Sequence, residues 1–377
     1  MYRNFLEGEI VSRNYMKVIP YREICAAKDF KEFKLGILPQ NTLYHLRNPE
    51  RTQIVPPVLP FPGINLPNEC VTQDFYVASL RNTLCIRNQT IIHNRKFILP
   101  DSFRHYQFNS STNHLTYNQR LNRFSLKVNI ENTKYQKGDC IFLSGEKSGF
   151  GHFLLEVISR LWITKYIDVK KVKFIMNPED RKSWQLDLLK PFGISMKQII
   201  YLDNPTVCER LHIPVQSFAL RKYTSSLAHE TWKKIGDCYD RGTGFEKIYV
   251  SRSRLENQRR VLLNENAVER IFSLNGYRII HPQNLKISQQ INLFRNAKII
   301  AGTTGSGMYS CVFQQNHPKI LILASNKFFK MSDILVNTST GGKLHYFVGQ
   351  TAELNAPGNK ANWTLNTEHL HQFLKKF

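Results

Sequence analysis

Apolar and polar positions along this chain change rhythm once, near residue 140. Before that point, residues 75–99 alternate apolar and polar side chains, with β-branched content in Phe75-Tyr76-Val77, Thr90-Ile91-Ile92 and Phe97-Ile98-Leu99. That period predicts short antiparallel strands. Residues 1–75 are irregular. Pro56, Pro57, Pro60, Pro62 and Pro67 crowd one apolar-aromatic stretch. Proline denies it helix and central strand, so an ordered extended loop or a wrap across the surface is expected.

After residue 140, apolar runs and helical spacings take turns. Cys140-Ile141-Phe142-Leu143 reads as a buried strand and 151–166 as a helix. Strands follow at 172–176, 198–202 and 211–215, with helices at 180–191 and 224–235. Residues 236–245, holding Gly242 and Gly244, make the best linker. A second set then begins, with strands at 247–251, 277–280, 298–301 and 320–323. Its helices fall at 264–274, 288–295 and 306–313. Asn275-Gly276 suits the end of the first of these, where a left-handed residue closes a helix. Strands alternating with helices predict a parallel sheet covered on both faces. Two such doubly wound α/β domains would face a cleft at the carboxyl ends of their strands. The closing residues 368–377 set Leu370, Phe373, Leu374 and Phe377 at helical spacing, as for a helix packed on the body.

The chain has 377 residues, too many for one ordinary core and comfortable for two. Its 42% hydrophobic content, with 24 Phe and 16 Tyr, excludes a disordered chain. Lys+Arg number 52 against 29 Asp+Glu, a net charge of +23. The charge is spread along the chain. That favours an enzyme with an anionic partner over a basic nucleic-acid arm. RNP, KH, zinc-finger and helix-turn-helix signatures are absent from the sequence. Seven widely spaced cysteines, none in a CxxC pair, fit reduced thiols in a cytoplasmic protein. Residues 1–16 contain no apolar leader segment, and no apolar run approaches a membrane span.

Three features could carry chemistry. Ser148-Gly149-Phe150-Gly151-His152-Phe153-Leu154-Leu155-Glu156 follows the strand at 140–143, and His152 and Glu156 share one helix face. A histidine and a carboxylate at a strand-to-helix corner can act as an oriented general base. The plain alternative is a solvated glutamate and a capping histidine. Arg252 ends a strand, where guanidinium groups bind phosphate bidentately. Arg254, Arg259 and Arg260 read as solvated. Gly302-Thr303-Thr304-Gly305-Ser306-Gly307 runs from a strand into a glycine-rich turn, whose N–H groups can converge on an anion. It has neither the lysine of a Walker motif nor the GxGxxG spacing. The sequence shows no Asp-x-Asp and no zinc spacing, so no metal or other cofactor is expected. Together these features argue for a nucleotide-using enzyme.

In order and spacing the segments resemble glycosyltransferase family 61. The matching stretches are Gly151-His152-Phe153-Leu154-Leu155-Glu156 with Arg160-Leu161, Tyr249-Val250-Ser251-Arg252, and Arg259-Arg260-Val261-Leu262-Leu263-Asn264-Glu265. Leu293-Phe294-Arg295-Asn296-Ala297-Lys298-Ile299-Ile300-Ala301-Gly302 then leads into Gly305-Ser306-Gly307. The resemblance implies a GT-B fold and inverting, metal-independent transfer from a nucleotide sugar, most often UDP-linked, to a glycan or glycolipid hydroxyl. On that basis residues 1–240 form an acceptor-side domain, 241–350 a nucleotide-sugar-binding domain and 351–377 a closing segment. Glu156 is the expected base, with His152 beside it. Arg252, Arg259, Thr304, Gly305, Ser306 and Gly307 would hold the donor. Two departures stand out: Thr304 occupies a position where family members usually have His, and Ile322-Leu323 one where they often have an acidic residue. The implied setting is bacterial surface-polysaccharide synthesis in the cytoplasm, with peripheral contact at the inner membrane face. The rival expectation is a non-catalytic, basic nucleic-acid- or glycan-binding protein.

Overall fold

The computed structural model describes residues 15–256, 259–353 and 355–377. Most of the reading of residues 1–16 therefore lies outside the described residues. The chain forms two compact units. One joins the residues up to Pro49 to Gln73–Gln216; the other joins Glu50–Thr72 to Ser217–Phe377.

The first unit is built on a ten-stranded mixed sheet. Thr206–Pro214, Lys134–Phe142, Val172–Met176 and Ile199–Tyr201 lie side by side in that order, all parallel. Phe75–Ile86 runs antiparallel against Thr206–Pro214 and continues the sheet through Thr90–His93 and Phe97–Ile98. The expected α/β alternation is therefore present, but half of it is fused to an antiparallel extension and is not a plain doubly wound sheet. The cause is local. Asn88 and Gln89, then Asn94 and Arg95, take positive φ in successive pairs, which makes tight hairpins. Connections that short cannot cross over to a parallel neighbour. The core clusters Leu80, Cys85, Cys140, Phe142, Ile175, Cys208, Leu211 and Ile213.

The second unit carries a six-stranded sheet in the order Arg278–Ile280, Lys247–Val250, Ile299–Thr303, Lys319–Ser325, Lys343–Thr351, Trp363–Thr364. All neighbours are parallel except the last pair. Lys319–Ser325 is buried along nearly its whole length, as a strand covered on both faces must be. Helix Glu265–Leu274 buries Val268 and Phe272 and closes as expected at Asn275-Gly276. There Gly276 N–H bonds to the Ser273 carbonyl and Tyr277 N–H to that of Phe272, and the Tyr277 ring packs on Phe272. The C-terminal helix Thr367–Lys376 is capped by Asn366 and buries Leu370 and Leu374.

One expectation changes here, two elements are new and one expectation holds. Residues 236–245 are not simply a linker, because helix Ser226–Tyr239 runs through Gly236. Trp232 packs edge-to-face with Phe218, and Arg295 pairs with Asp237 and Asp240, which ties this helix to the second unit. Helix Met331–Thr340 and strand Lys343–Thr351 have no counterpart in the sequence reading. The helix is rich in Ser, Thr, Asn and β-branched residues, poor helix formers that burial on almost every side overrides. The proline-rich stretch does wrap, as an extended chain along Lys343–Thr351. Val58 N–H donates to the Leu344 carbonyl at 2.7 Å, Tyr346 N–H to that of Leu59 at 2.9 Å, and Phe61 packs on Phe329 and Tyr346. All seven cysteines are free. Among the described residues no helix is long and apolar enough to cross a membrane.

Candidate functional site

In each sheet the strand order reverses once, and ligands of open α/β sheets bind at the carboxyl ends of the strands flanking that point. In the first unit the reversal lies between Lys134–Phe142 and Thr206–Pro214. In the second it lies between Lys247–Val250 and Ile299–Thr303. The residues singled out from the sequence sit beside these two places.

At the first, the chain leaves Phe142, turns through Gly149 and enters a helical run from Phe150 to Lys165. Gly149 has φ 115°, a region that favours glycine, so the corner depends on it. The run widens to a π turn over Phe153–Val157, an irregularity frequent at functional positions. That turn carries Glu156, whose side chain is only 8% exposed. Glu156 Oε2 lies 2.6 Å from His152 Nδ1, and Oε1 accepts from Arg104 Nε at 2.7 Å. Burial pushes the Glu156 pKa up, but the His152 hydrogen bond and the Arg104 charge outweigh it and hold the carboxyl below its ordinary range. Arg104 Nη2 also stands 3.2 Å from His152 Nδ1. Nδ1 cannot both accept from the guanidinium and donate to the carboxylate. The shorter contact to an ionised carboxylate requires Nδ1–H, which leaves Nε2 of neutral His152 as the free acceptor.

Arg104 has no counterpart in the sequence reading. It is delivered by a turn in which His105 and Tyr106 have φ of 58° and 54°, sparsely populated for such residues. A second buried pair fixes the same segment: Arg160 Nη2 lies 2.8 Å from Asp101 Oδ1, both side chains fully buried, and Tyr21 Oη donates to Asp101 Oδ2. Arg160 thus has a structural task in tying the helical run to the Arg104 turn.

At the second reversal the strands come unusually close. A Cβ on Gly302 would fall 2.9 Å from both Cβ and O of Val250, so only glycine fits. Thr304 N–H extends the ladder to the Leu323 carbonyl, and helix Ser306–Phe313 begins. The N–H groups of Gly305, Ser306 and Gly307 have no acceptor among the described residues, as expected at a helix start. A Cβ on Gly305 would lie 3.8 Å from Arg252 Nη1, so arginine and turn are neighbours. Arg252 is held by its own backbone, whose N–H donates to buried Glu265 Oε1 at 2.8 Å. Its Nη2 donates to the Arg259 carbonyl at 3.1 Å. Arg259 therefore takes part through its backbone, while its side chain is exposed.

Arg260 departs from expectation. It is not solvated; its guanidinium stacks 4.3 Å from the Phe328 ring centroid, and burial together with Arg252 lowers its pKa to about 10. Thr304 points inward, its hydroxyl donating to Asp333 Oδ2 at 2.9 Å. Burial raises Asp333 to about 6. An acidic group thus stands next to this strand end, supplied by the following helix. Lys330, just ahead of that helix, was also unforeseen. The only sequence signal for it was a cation soon after a strand's carboxyl end. Among the described residues Arg252, Arg260 and Lys330 have no carboxylate at ion-pair distance. The second site therefore carries uncompensated positive charge beside free N–H donors, an arrangement suited to phosphate.

Residues 150–321 match the model of a known protein family, Glycosyltransferase 61. No protein with a curated description matches the chain. The match opens at the helical run bearing His152 and Glu156 and closes inside Lys319–Ser325, so it takes in Arg252 and the 304–307 turn. Arg104, Lys330 and Asp333 lie outside it. Over this segment the chain matches glycosyltransferase family 61, a family of sugar-transferring enzymes.

Proposed function

We propose that the protein transfers a sugar, with inversion, from a UDP-linked donor to a hydroxyl of a bacterial surface glycan, and that it needs no metal to do so. Its two units would work in a GT-B arrangement, the first on the acceptor side and the second on the donor side. The observation that carries this reading is the uncompensated arginine charge beside the free N–H groups of Gly305, Ser306 and Gly307. A departing diphosphate needs charge and donors fixed in advance, and this corner has both. His152 Nε2 is the better proton acceptor, because Glu156 is buried, ionised and already bonded on both oxygens. In this scheme the acceptor hydroxyl gives its proton to Nε2 as its oxygen bonds to the anomeric carbon. The bond from that carbon to the diphosphate oxygen breaks, and UDP leaves with the electron pair. Glu156 holds the His152 tautomer and stabilises the imidazolium.

The net charge of +23 suits an anionic acceptor or the anionic inner leaflet, where a cytoplasmic enzyme would meet a lipid-linked glycan. The deciding experiment is calorimetry with UDP, GDP, CMP and ADP, each with and without chelator. The expected result is chelator-insensitive binding of UDP, weakened about ten- to hundredfold by Arg252→Ala. If no nucleotide binds, or Arg252→Ala binds as wild type, the donor-site assignment is wrong.

A further inference from the structure

Lys330 is the residue before helix Met331–Thr340 and follows strand Lys319–Ser325, the neighbour of the strand that ends in the 304–307 turn. Its ammonium lies 5.4 Å from the Tyr309 ring centroid and 5.2 Å from that of Phe328, the ring on which Arg260 also stacks. It has no hydrogen-bond or ion-pair acceptor among the described residues. The groups facing it come from every element around it. They are Asp333 on its own helix, Arg260 ahead of helix Glu265–Leu274, Arg252 at the end of Lys247–Val250 and Arg221 in the turn before Tyr223. Asp333 in turn faces Thr304, Arg260, Cys311 and Tyr346. Three arginines thus face Lys330 against one buried carboxylate, which Thr304 already occupies.

Gathering like charges in a partly dry corner is unfavourable unless an anion completes it. The cost is visible in Lys330 itself. Burial lowers its pKa to about 8, and Arg260, Arg252 and Arg221 push the same way against Asp333.

We propose that Lys330 is a direct ligand of the donor's diphosphate and that its protonation sets the upper pH limit of donor binding. The inference rests on the donor-site reading above, and it goes beyond the family match, which ends at residue 321. In the free protein the amine loses its proton near pH 8. A bound polyanion favours the ammonium, so binding draws a proton from solution, and affinity falls as pH rises. The charge on the ligand's phosphates does not change in this window, because the second phosphate pKa lies near 6.

The test is UDP calorimetry at pH 7 and pH 9, below the ionisation of the uracil ring, on wild type, Lys330→Met, Lys330→Arg and Arg252→Ala. At pH 8 it is repeated in buffers of different ionisation enthalpy. Wild type should weaken about tenfold between the two pH values and take up about half a proton at pH 8. Lys330→Met, which keeps a stem to pack on the rings, should bind about tenfold more weakly at pH 7 and show no pH dependence. Lys330→Arg should bind well at both values, which also shows that the site folds with residue 330 replaced. The inference is overturned if Lys330→Met binds like wild type at pH 7 while Arg252→Ala does not, or if wild-type affinity is flat with pH and no proton is taken up. Failure of the underlying reading is a different result: wild type itself then binds no UDP, and the Lys330 role falls with it.

Discussion

Replacing Glu156 with glutamine changes one charge and almost no volume, so it isolates what the carboxylate does. Two effects should appear. The first is structural. Arg104, only 17% exposed, loses the carboxylate that Nε and Nη2 reach at 2.7 and 3.3 Å. Breaking a buried pair costs about 3–5 kcal/mol. Glutamine keeps one carbonyl acceptor and Arg104 keeps some solvent, so about 2–3 kcal/mol is expected, or roughly 5–10 °C in a unit of this size. The sign with pH follows from the depressed Glu156 pKa. The gap between wild type and variant should be full above about 4.5, the ordinary glutamate value, and close as pH falls through the lowered value. The second effect is chemical. An amide –NH₂ facing Nδ1 donates to it, which moves the imidazole proton to Nε2 and blocks the proposed base. A wrong tautomer in a comparable histidine–carboxylate couple lowers kcat by about 10⁴. The assay is UDP release from a UDP-sugar that wild type turns over, beside UDP calorimetry and thermal unfolding. The expected pattern is a kcat loss of about 10³–10⁴ with UDP affinity within about twofold of wild type. A variant that keeps a tenth or more of wild-type kcat would refute the tautomer argument.

Other outcomes follow from close packing and burial. Gly302→Ala places a methyl 2.6 Å from Met308 Sδ and 2.9 Å from the Val250 carbonyl, so it should cost about 1–3 kcal/mol and weaken UDP binding by spreading the two strands; unchanged unfolding and unchanged affinity would show that the strands need not approach so closely. Asp180 is buried, accepts from Gln185 at Oδ1 and has no partner for Oδ2 among the described residues, and burial raises its pKa to about 7. The folded chain therefore holds a proton there between about 4 and 7 that the unfolded chain releases, and stability falls as pH rises through that window. Asp180→Asn should be more stable than wild type by about 2–4 kcal/mol at pH 8 and gain nothing at pH 4, measured by urea unfolding; no gain at pH 8 would reject the burial argument.

Much of the second unit was legible from the chain alone, because its elements announce themselves locally. The apolar run around Ile320-Leu321-Ile322-Leu323, the spacing of Val268 and Phe272 and the Asn275-Gly276 stop each act within a few residues. His152 with Glu156 was legible for the same reason, since four residues along a helix bring side chains to one face. Helix Met331–Thr340 was not, because its residues are poor helix formers and only burial among neighbours makes it form. The antiparallel strands of residues 75–99 were legible from their alternation, but not that Phe75–Ile86 would pair with Thr206–Pro214, which depends on which strand it finds beside it.

The sequence by itself determined the α/β alternation, the basic character, the two strand-to-helix corners and the histidine–carboxylate couple. Each of these rests on contacts between residues near in the chain. The tertiary structure alone decided that Arg104 meets Glu156 across 52 positions, that Arg260 and Lys330 share the Phe328 ring, and that Thr304 turns inward to Asp333. Charges from distant segments act together only where the sheet order brings strand ends to one place. Burial there, and not residue type, then decides which of them ionise.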